Sequence, residues 1–531
     1  MTDTSRLTTG YRAGDTICLR RSRNFTAWFA TFLPRFVASG RQEGTDTAPS
    51  GTTAAIRVNL GKTKNKIEHP MIRSLIAPLA LILGGCITTV GPDSARPEVA
   101  VAREFAFAVS PDLEGAASEA WWLALDDSTL DAFMARGLRQ NLDIRTARAR
   151  IAQARARVRA AGAAQLSGDL DVTLNRTVSD GRTSGSEVAA GGATYAFDLF
   201  GGQARRRQAV RAELEATLLD EAATQLAFQL ELATAMIEVR FFQNAQAVTE
   251  RSIADRRRLL ALTRELVAAG EMTAVNEARA QADLSLVEAE LPGLRAGVQL
   301  NTIRVATLID MPVSAVAAAI GRAGQLRPRH TVAPGVPANL LRNRPDVLAA
   351  EYRLAKALAE IGVAEAALYP ALTLNGTIQL DSKETFRLGP TLSLPLLSRG
   401  RLIALRDETA AEAAEAEILW RQELTQAVSD VESALVRAAT SRREIAALTR
   451  ASADYARLEA LSQDTLRLGV TTILELISAA QDRRRTDLSL ASARRDLATA
   501  VAQLAVATGR GWKVGIPDAD GGRDLPDASA S

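Results

Sequence analysis

The sequence predicts a mainly helical chain with a small β part, built twice from one helix–hairpin–helix unit. Three observations carry this. Two hydrophobic stretches change period from helical to two and back, very long runs lack both Gly and Pro, and the same order of segments recurs after about 200 residues.

The clearer unit is the second. Pro345, Asp346 and Glu351 open an Ala- and Leu-rich helical run that Pro370 stops; proline in the first turn and early acids are helix-start signals. Leu372, Leu374, Gly376, Ile378 and Leu380 then alternate with Thr373, Asn375, Thr377, Gln379 and Asp381, a half-apolar strand. Residues 381–387 read as a polar turn. Leu388, Leu392, Leu394 and Leu396 alternate with Gly389, Thr391 and Ser393 as the return strand. The first unit repeats the order. Asn141-Leu142-Asp143-Ile144 opens a helical run to Ala161, and Leu170, Val172 and Leu174 alternate with Asp171, Thr173 and Asn175. A polar Gly/Ser stretch over 179–192 reads as the connection, and Tyr195, Phe197 and Leu199 alternate with Thr194, Ala196 and Asp198. Leu174-Asn175 recurs as Leu374-Asn375, and Ala280-Gln281 as Ala480-Gln481.

Long helices follow each hairpin. Residues 203–269 and 401–468 hold neither Gly nor Pro, enough for rods of roughly 100 Å at 1.5 Å rise per residue. Gly270 and Gly469 end them, and return helices run on from 271 and 470, with a kink or break expected at Pro292-Gly293. Small and leucine side chains such as Leu488, Ala491, Leu497, Val501 and Leu504 form an apolar stripe, as in long antiparallel coiled coils. The Trp121-Trp122 pair reads as packing that anchors a helix start.

Composition excludes several classes. Sixty-four Lys+Arg against 61 Asp+Glu is too balanced for a nucleic-acid binder. Two cysteines, Cys18 and Cys86, make neither a disulfide framework nor a Cys-based zinc site. His69 and His330 stand apart, with no HExxH and no phosphate loop, so no catalytic, cofactor-binding or metal residues are assigned and the chain reads as no enzyme.

The N-terminal end reads as an address. MIRSLIAPLALILGGC, residues 71–86, has a charge, a short apolar run and small residues before Cys86, the layout of a bacterial secretory signal. Leu83-Gly84-Gly85-Cys86 resembles a lipobox, which makes Cys86 the lipidated first residue of the mature chain and its lipid the sole covalent addition expected. Ile87 rather than Asp after it agrees with delivery to the outer membrane. The organisation expected is an extension over 1–70, a signal over 71–85 and a tether over 86–120. First-unit helices (121–165), a hairpin (166–200), and long helices with a connection (201–335) follow. The second unit has a helix (336–370), a hairpin (371–397) and long helices (398–512), before a disordered tail (513–531).

Four strands of about nine residues match tilted membrane-spanning strands, but four cannot enclose an aqueous barrel and open edges are not tolerated in lipid. Closure needs further copies; three would give twelve strands. Leu170, Val172, Tyr195, Phe197, Leu374, Ile378 and Leu394 would then face lipid, and Asp171, Asn175, Asp198, Asn375 and Gln379 the lumen. Two hairpins packed on their own helices would use the same alternation. The corresponding function is a lipid-anchored periplasmic coiled-coil spacer without channel activity.

Several motifs together resemble the TolC-like outer-membrane factor family, in its NodT- and OprM-like lipoprotein branch. They are Trp121-Trp122 with Leu130 and Asn141-Leu142-Asp143-Ile144; Phe197-Asp198-Leu199-Phe200-Gly201; Arg344-Pro345-Asp346 with Ala350-Glu351; Ile361-Gly362-Val363-Ala364 before Tyr369-Pro370; Gly389-Pro390 through Pro395; Leu466-Arg467-Leu468-Gly469-Val470; and Gly509-Arg510-Gly511-Trp512. The resemblance implies a homotrimer in the outer membrane of a Gram-negative bacterium, with a β-barrel and a long periplasmic α-helical barrel. It also implies docking to a periplasmic adaptor and an inner-membrane pump for export of small molecules. Gly270, Met272, Leu468, Gly469 and Val470 would mark adaptor-contact tips, and Leu474, Glu475, Ser478 and Asp482 a periplasmic gate. Two departures stand out: Ser478 sits where relatives often carry Asp, with Glu475 and Asp482 as substitutes on another face, and Arg510 breaks the usual glycine run.

Overall fold

The structure is a computed structural model, and it describes residues 89–93, 105–107, 120–179, 182–328, 343–380 and 384–512. The signal, Cys86 and the C-terminal tail lie outside the described residues. A 3-10 turn, Trp121–Leu125, precedes α1 (Ser128–Gln140) and α2 (Leu142–Ala163). Strands β1 (Leu166–Ser179) and β2 (Arg182–Phe197) lead into α3 (Gly202–Ala268), α4 (Ala274–Leu308) and the short α5 (Val313–Ile320). The second unit is α6 (Pro345–Ala366), β3 (Ala371–Leu380), β4 (Glu384–Ser393), α7 (Arg399–Arg467) and α8 (Ile473–Ala507). The duplication is plain in the lengths: α2 and α6 both have 22 residues, α4 and α8 both 35, and α3 and α7 have 67 and 69.

Local chemistry sets the boundaries. Asp127 caps α1 by accepting from the N–H groups of Thr129 and Leu130, and Asn141 caps α2 through those of Asp143 and Ile144. Pro345 occupies the first turn of α6, where its missing N–H costs nothing. Three expectations are corrected. Residues 384–387, read as part of a polar turn, belong to β4, where each pairs with β3. The Gly/Ser stretch over 179–192 is not a loop: β1 continues to Ser179 and β2 begins at Arg182, so the first hairpin is longer than the second. Small residues are tolerated there because each is paired on the ladder, Gly191 to both Leu170 and Ile378. Nor does α4 break at Pro292-Gly293; it runs through Pro292. One lost hydrogen bond is outweighed by packing on α3, with ion pairs Arg257–Glu288 (2.6 Å) before the proline and Arg295–Glu250 (3.7 Å) after it.

The four strands form one antiparallel sheet in the order β1-β2-β3-β4, with β1 and β4 at its edges. Pro390 lies on the edge strand β4, where a missing N–H is harmless. Next to the strands the helices follow the same order: α2 packs on α3, α3 on α6, and α6 on α7. Farther away α3 pairs with α4 and α7 with α8, giving two helical hairpins that touch through α3 and α8.

The main core lies at mid-length of the long helices. Phe228, Leu232 and Met236 of α3 and Val431 of α7 meet Trp121, Trp122, Phe133 and Met134 there, at roughly 1.5–3 kcal/mol for each large side chain buried. Trp121 and Trp122 sit edge to face at 6.0 Å, the packed anchor expected of them. Gln229, fully buried, ties both chain ends to this core: its Oε1 accepts from Trp121 Nε1 (3.0 Å) and its Nε2 donates to the Gly511 carbonyl (2.8 Å). A second core near the far end joins Ile253, Leu260, Leu284 and Val287 of one hairpin to Leu466, Ile473, Leu476 and Ile477 of the other. Among the described residues no single helix is long and apolar enough to cross a membrane.

Two arginine–carboxylate pairs are buried. Arg240 meets Asp127 at 2.8 Å and also donates to Gln243 and the Ile320 carbonyl. Burial pushes the Asp127 carboxyl up, but the hydrogen bond and charge of Arg240, with the Leu130 and Thr129 N–H groups, hold it below the usual carboxylate range. A carboxyl whose folded value is depressed adds stability above its unfolded value, near 3.9, and loses it as pH falls through the lower folded value. Arg240→Met is therefore expected to cost about 3–5 kcal/mol by leaving a buried carboxylate uncompensated, and Asp127→Asn to flatten the acid end of the stability curve. Helical circular dichroism during thermal melts between pH 7 and pH 2 reads both effects; a melt for Arg240→Met equal to wild type would refute the first.

Candidate functional site

The register divides the sheet into two unlike faces. Residues opposite one another on an antiparallel ladder share a face. Leu166 lies opposite Tyr195, Tyr195 opposite Leu374, and Leu374 opposite Pro390. The rows through Leu170–Gly191–Ile378–Phe386 and Val172–Ala189–Leu380 continue the same face. Phe197 joins it beside Leu372 and Leu392, its ring 5.0 Å from that of Tyr195. The central rows of this face are apolar across all four strands and uncovered, with Leu170 77% and Phe386 67% exposed, and Glu384, opposite Leu380, stands at its rim.

The opposite face carries Asp171, Thr194, Asn375, Gln379 and Thr391, and residue 175 falls on it by register. Asn375 knits three strands together. Its Oδ1 accepts from Thr194 Oγ1 (2.9 Å), and its Nδ2 donates to Thr391 Oγ1 (2.9 Å) and Thr373 Oγ1 (3.2 Å). Such a side-chain ladder pins register where alternation alone would allow a slip.

Two strand assignments are corrected. Asp198 lies past the end of β2 and caps α3, its Oδ1 accepting from Gln203 N (3.0 Å) and its Oδ2 from Ala204 N (2.8 Å). Leu394 lies one residue past β4. Both follow from the chain leaving the sheet, where a carboxylate satisfies orphan helix N–H groups. The motif 197–201 is this strand-to-helix corner. Phe200 stacks on Tyr369 at 4.6 Å, joining the corners of the two units. Nothing in the sequence flagged Arg205, which donates to the carbonyls of Val90 (3.1 Å) and Gly91 (2.9 Å) and pairs with Asp93, fixing residues 89–93 at the same level. The Arg344-Pro345-Asp346 motif proves to be an ion cluster: Arg344 pairs with Asp346 and with Asp430 of α7 (3.0 Å).

The far ends of the hairpins are two matching turns. Gly270 (φ 78°) and Gly469 (φ 72°) are left-handed, and a Cβ on either would meet nothing within 4 Å. Backbone conformation, not space, therefore calls for glycine there. In each turn the glycine N–H returns to the carbonyl three residues back and the next N–H to the one five back: Gly270 to Val267 and Glu271 to Leu266, Gly469 to Leu466 and Val470 to Thr465. These are Schellman closures. They leave Leu468 and Val470 each 77% exposed, with Met272 packed partly against the second core.

Leu474, Glu475, Ser478 and Asp482 follow directly on α8. Ile473, Leu476, Ile477 and Ala479 turn inward, while Leu474, Glu475 and Ser478 are exposed and Asp482 half-exposed. Glu475 and Asp482 therefore share a face with Ser478, one turn before and after it, instead of lying on another face. Glu475 already has work to do: its Oε2 accepts from Thr472 N (3.1 Å) while Thr472 Oγ1 accepts from Glu475 N (3.3 Å), a capping box. Asp482 pairs with Arg485 at 3.5 Å. Just above, Asp283 of α4 accepts from Gln481 Nε2 (2.7 Å) and pairs with buried Arg256 at 2.6 Å, and Arg484 of α8 pairs with Glu290 of α4. Gln481–Asp283 and Arg484–Glu290 join the two hairpins, and sequence reading missed them because their partners lie almost 200 residues apart. Among the described residues no cluster of His, Cys, Asp and Glu could hold a metal.

A sheet apolar on one face and polar on the other, carried on rods of such length, defines the outer-membrane channel class. The chain belongs to the outer membrane efflux protein family, whose model matches residues 135–309 and 336–510, the two units of the duplication. It is similar to nodulation protein T of Rhizobium leguminosarum bv. trifolii, 31% identical over 82% of this chain and 96% of that one. It is also similar to the pyoverdine export outer membrane protein OpmQ of Pseudomonas aeruginosa, 28% identical over 82% and 95%. The open state of the MtrE outer membrane channel of Neisseria gonorrhoeae shares the fold, with TM-score 0.70 and 22% identity over 80% of this chain and 99% of that one. The protein is thus an efflux channel component of the outer membrane, of a family of conduits that work with an adaptor and an inner-membrane pump, and not an enzyme.

Proposed function

We propose that three copies close one β-barrel of twelve strands and one helical tube, through which small solutes pass passively under power supplied by the pump. The observation that supports it most directly is the apolar face whose central rows cross all four strands and whose two outer edges are unpaired. In hydrocarbon an unpaired ladder edge costs several kcal/mol per group, so the edges need partners. Leu170, Val172, Tyr195, Phe197, Leu374 and Ile378 then face lipid, with Leu394 at the boundary, and Asn375 and Gln379 line the lumen.

The turns at Gly270 and Gly469, with Met272, Leu468 and Val470, meet the adaptor. Two exposed apolar residues flanking a rigid left-handed glycine make a small knob suited to an apolar notch. Leu474, Ser478 and Asp482 narrow the entrance, three copies of each at one level. Glu475 adds charge there but is shared with its cap. Cys86 carries the lipid. That reading is supported by Arg205, which holds residues 89–93, shortly after Cys86 in the sequence, at the strand-to-helix corner. The exported solute is not specified by any of these residues.

Purified protein is expected to form pores in planar lipid bilayers. Ile378→Arg, on the apolar face, should lower the stability of the lipid-inserted barrel by about 2–4 kcal/mol, and Gln379→Arg, its neighbour on the other face, by much less; equal losses would refute the assignment of faces. Leu474→Ala with Asp482→Asn should raise single-channel conductance, and unchanged conductance would remove these residues from the gate. A fatty-acid probe should label wild type and not Cys86→Ser; equal labelling would place the lipid elsewhere.

A further inference from the structure

The segment after α5 brings cationic side chains together at mid-length without giving them partners. Residues 321–328 hold Arg322 and Arg327 and no acid. They cross the rods there. Gln243 Nε2 of α3 donates to the Gly321 carbonyl (2.7 Å), Leu326 is buried in the main core, and Gln325 Nε2 donates to the Ala491 carbonyl of α8. That last bond carries Arg327 to the next turn of α8, where Arg494 and Arg495 stand. Arg495 is fully used: it pairs with Asp496 (2.9 Å) and Glu238 of α3 (3.7 Å), and its guanidinium lies 4.6 Å from the centre of the Phe241 ring. Arg494 is half-buried, and it makes neither hydrogen bond nor ion pair among the described residues; the same holds for the exposed Arg322 and Arg327.

Two guanidinium groups held close together are unfavourable unless something negative lies between them. Burial, and then the like charge of Arg327, push Arg494 down from its ordinary value, against the pull of Asp487. Asp487 is two turns back on α8 and is shared already, accepting from Ser452 Oγ (2.5 Å) and pairing with Arg483 at 3.9 Å. Beside the crossing segment there is room for a ligand. A cavity of about 430 Å³ opens between that segment and the start of α1, with Ser128 and Thr129 on one side and Arg322, Gln325 and Arg327 on the other. Arg240 and Asp127 in its wall neutralise each other, and Asp126, on the same wall, is engaged already.

We propose that Arg327 and Arg494, with Arg322 at the mouth, form an oxyanion site that takes the carboxylate or phosphate group of a small hydrophilic solute, whose body lies in the cavity along Ser128 and Thr129. The guanidinium fork suits both groups, because two parallel N–H donors meet two oxygens at once. A cavity of this volume is in the range of small-molecule sites and exceeds what a bare ion needs. Seated there, the anionic group replaces repulsion by attraction between the crossing segment of the first unit and α8 of the second. The inference needs neither a second copy of the chain nor an open channel, so it stands apart from the conduit reading.

The test uses the full-length protein in detergent, titrated in a calorimeter with inorganic phosphate or with glucuronate. Ionic strength is held at about 0.15 M with chloride, and neutral glucose serves as control. One or both anions should bind at one per chain, and glucose should not. Arg327→Gln and Arg494→Gln should each weaken that binding by about tenfold or more, whereas Arg442→Gln, an exposed arginine of α7, should change it less than about twofold. The bound anion should raise the melting temperature of wild type and leave that of Arg494→Gln unmoved. In chloride alone neither site variant should melt below wild type, since each removes a repelling charge. Binding of either anion supports the site, and the tighter one names its group. No saturable binding of either anion, or binding that survives both substitutions, would overturn the inference. So would a site variant that melts lower in chloride, because the arginine would then have a protein partner, such as a carboxylate of another copy.

Discussion

Backbone hydrogen bonding governs this architecture. Four strands satisfy each other across three ladders and leave two edges, while the central rows of one face offer nothing polar to water. A sheet of this kind is at rest only where its apolar face meets lipid and its edges meet other strands. The rest of the chain can be read as what is needed to carry such a sheet. The helices beneath it keep the same order as the strands, so that each strand end passes directly into a helix end with only a short corner between.

Those corners and the mid-length core convert a repeat in sequence into a rigid object. At the corner, Asp198 caps α3 and Phe200 stacks on Tyr369 of the other unit, so the two hairpins share one base. At mid-length, Gln229 accepts a hydrogen bond from the Trp121 indole N–H on one side and donates one to the Gly511 carbonyl on the other. A fully buried amide with both ends satisfied is specific, because any shift that breaks one bond strands a polar group in the core. Toward the far end the balance changes. The second core is smaller, and polar links such as Gln481–Asp283 carry more of the contact between hairpins. Polar contacts of that sort contribute less net free energy than apolar burial and rearrange more readily.

The joint between the two units follows the same economy of parts. A duplicated unit already joins to its own twin inside the chain through α3 and α6, with arginine and lysine on one helix and carboxylates on the other. Charges at an exposed seam add little stability pair by pair, yet they discriminate strongly between a correct partner edge and a like-charged one.

Sequence by itself determined the class, the repeat, the helix lengths and the alternation in the strands, because each of these is written in a local period: two for Leu372 to Leu380, about 3.6 for the rods, and glycine at the two reversals. It also marked Trp121 and Trp122 as a packed anchor and Pro345 with Asp346 as a helix start. Tertiary structure alone decided the register that lines Leu170 up with Gly191, Ile378 and Phe386, the full length of the first hairpin, the continuity of α4 through Pro292, and the task of Asp198 as a cap rather than a strand residue. It likewise decided that Glu475 and Asp482 share a face with Ser478, and that Arg205, Gln229 and Asp283 tie distant segments together. The physical reason is common to all of these. A local period reports which side of an element is apolar, but pairing, capping and buried polar contacts depend on partners many residues away, and those are chosen only when the elements pack.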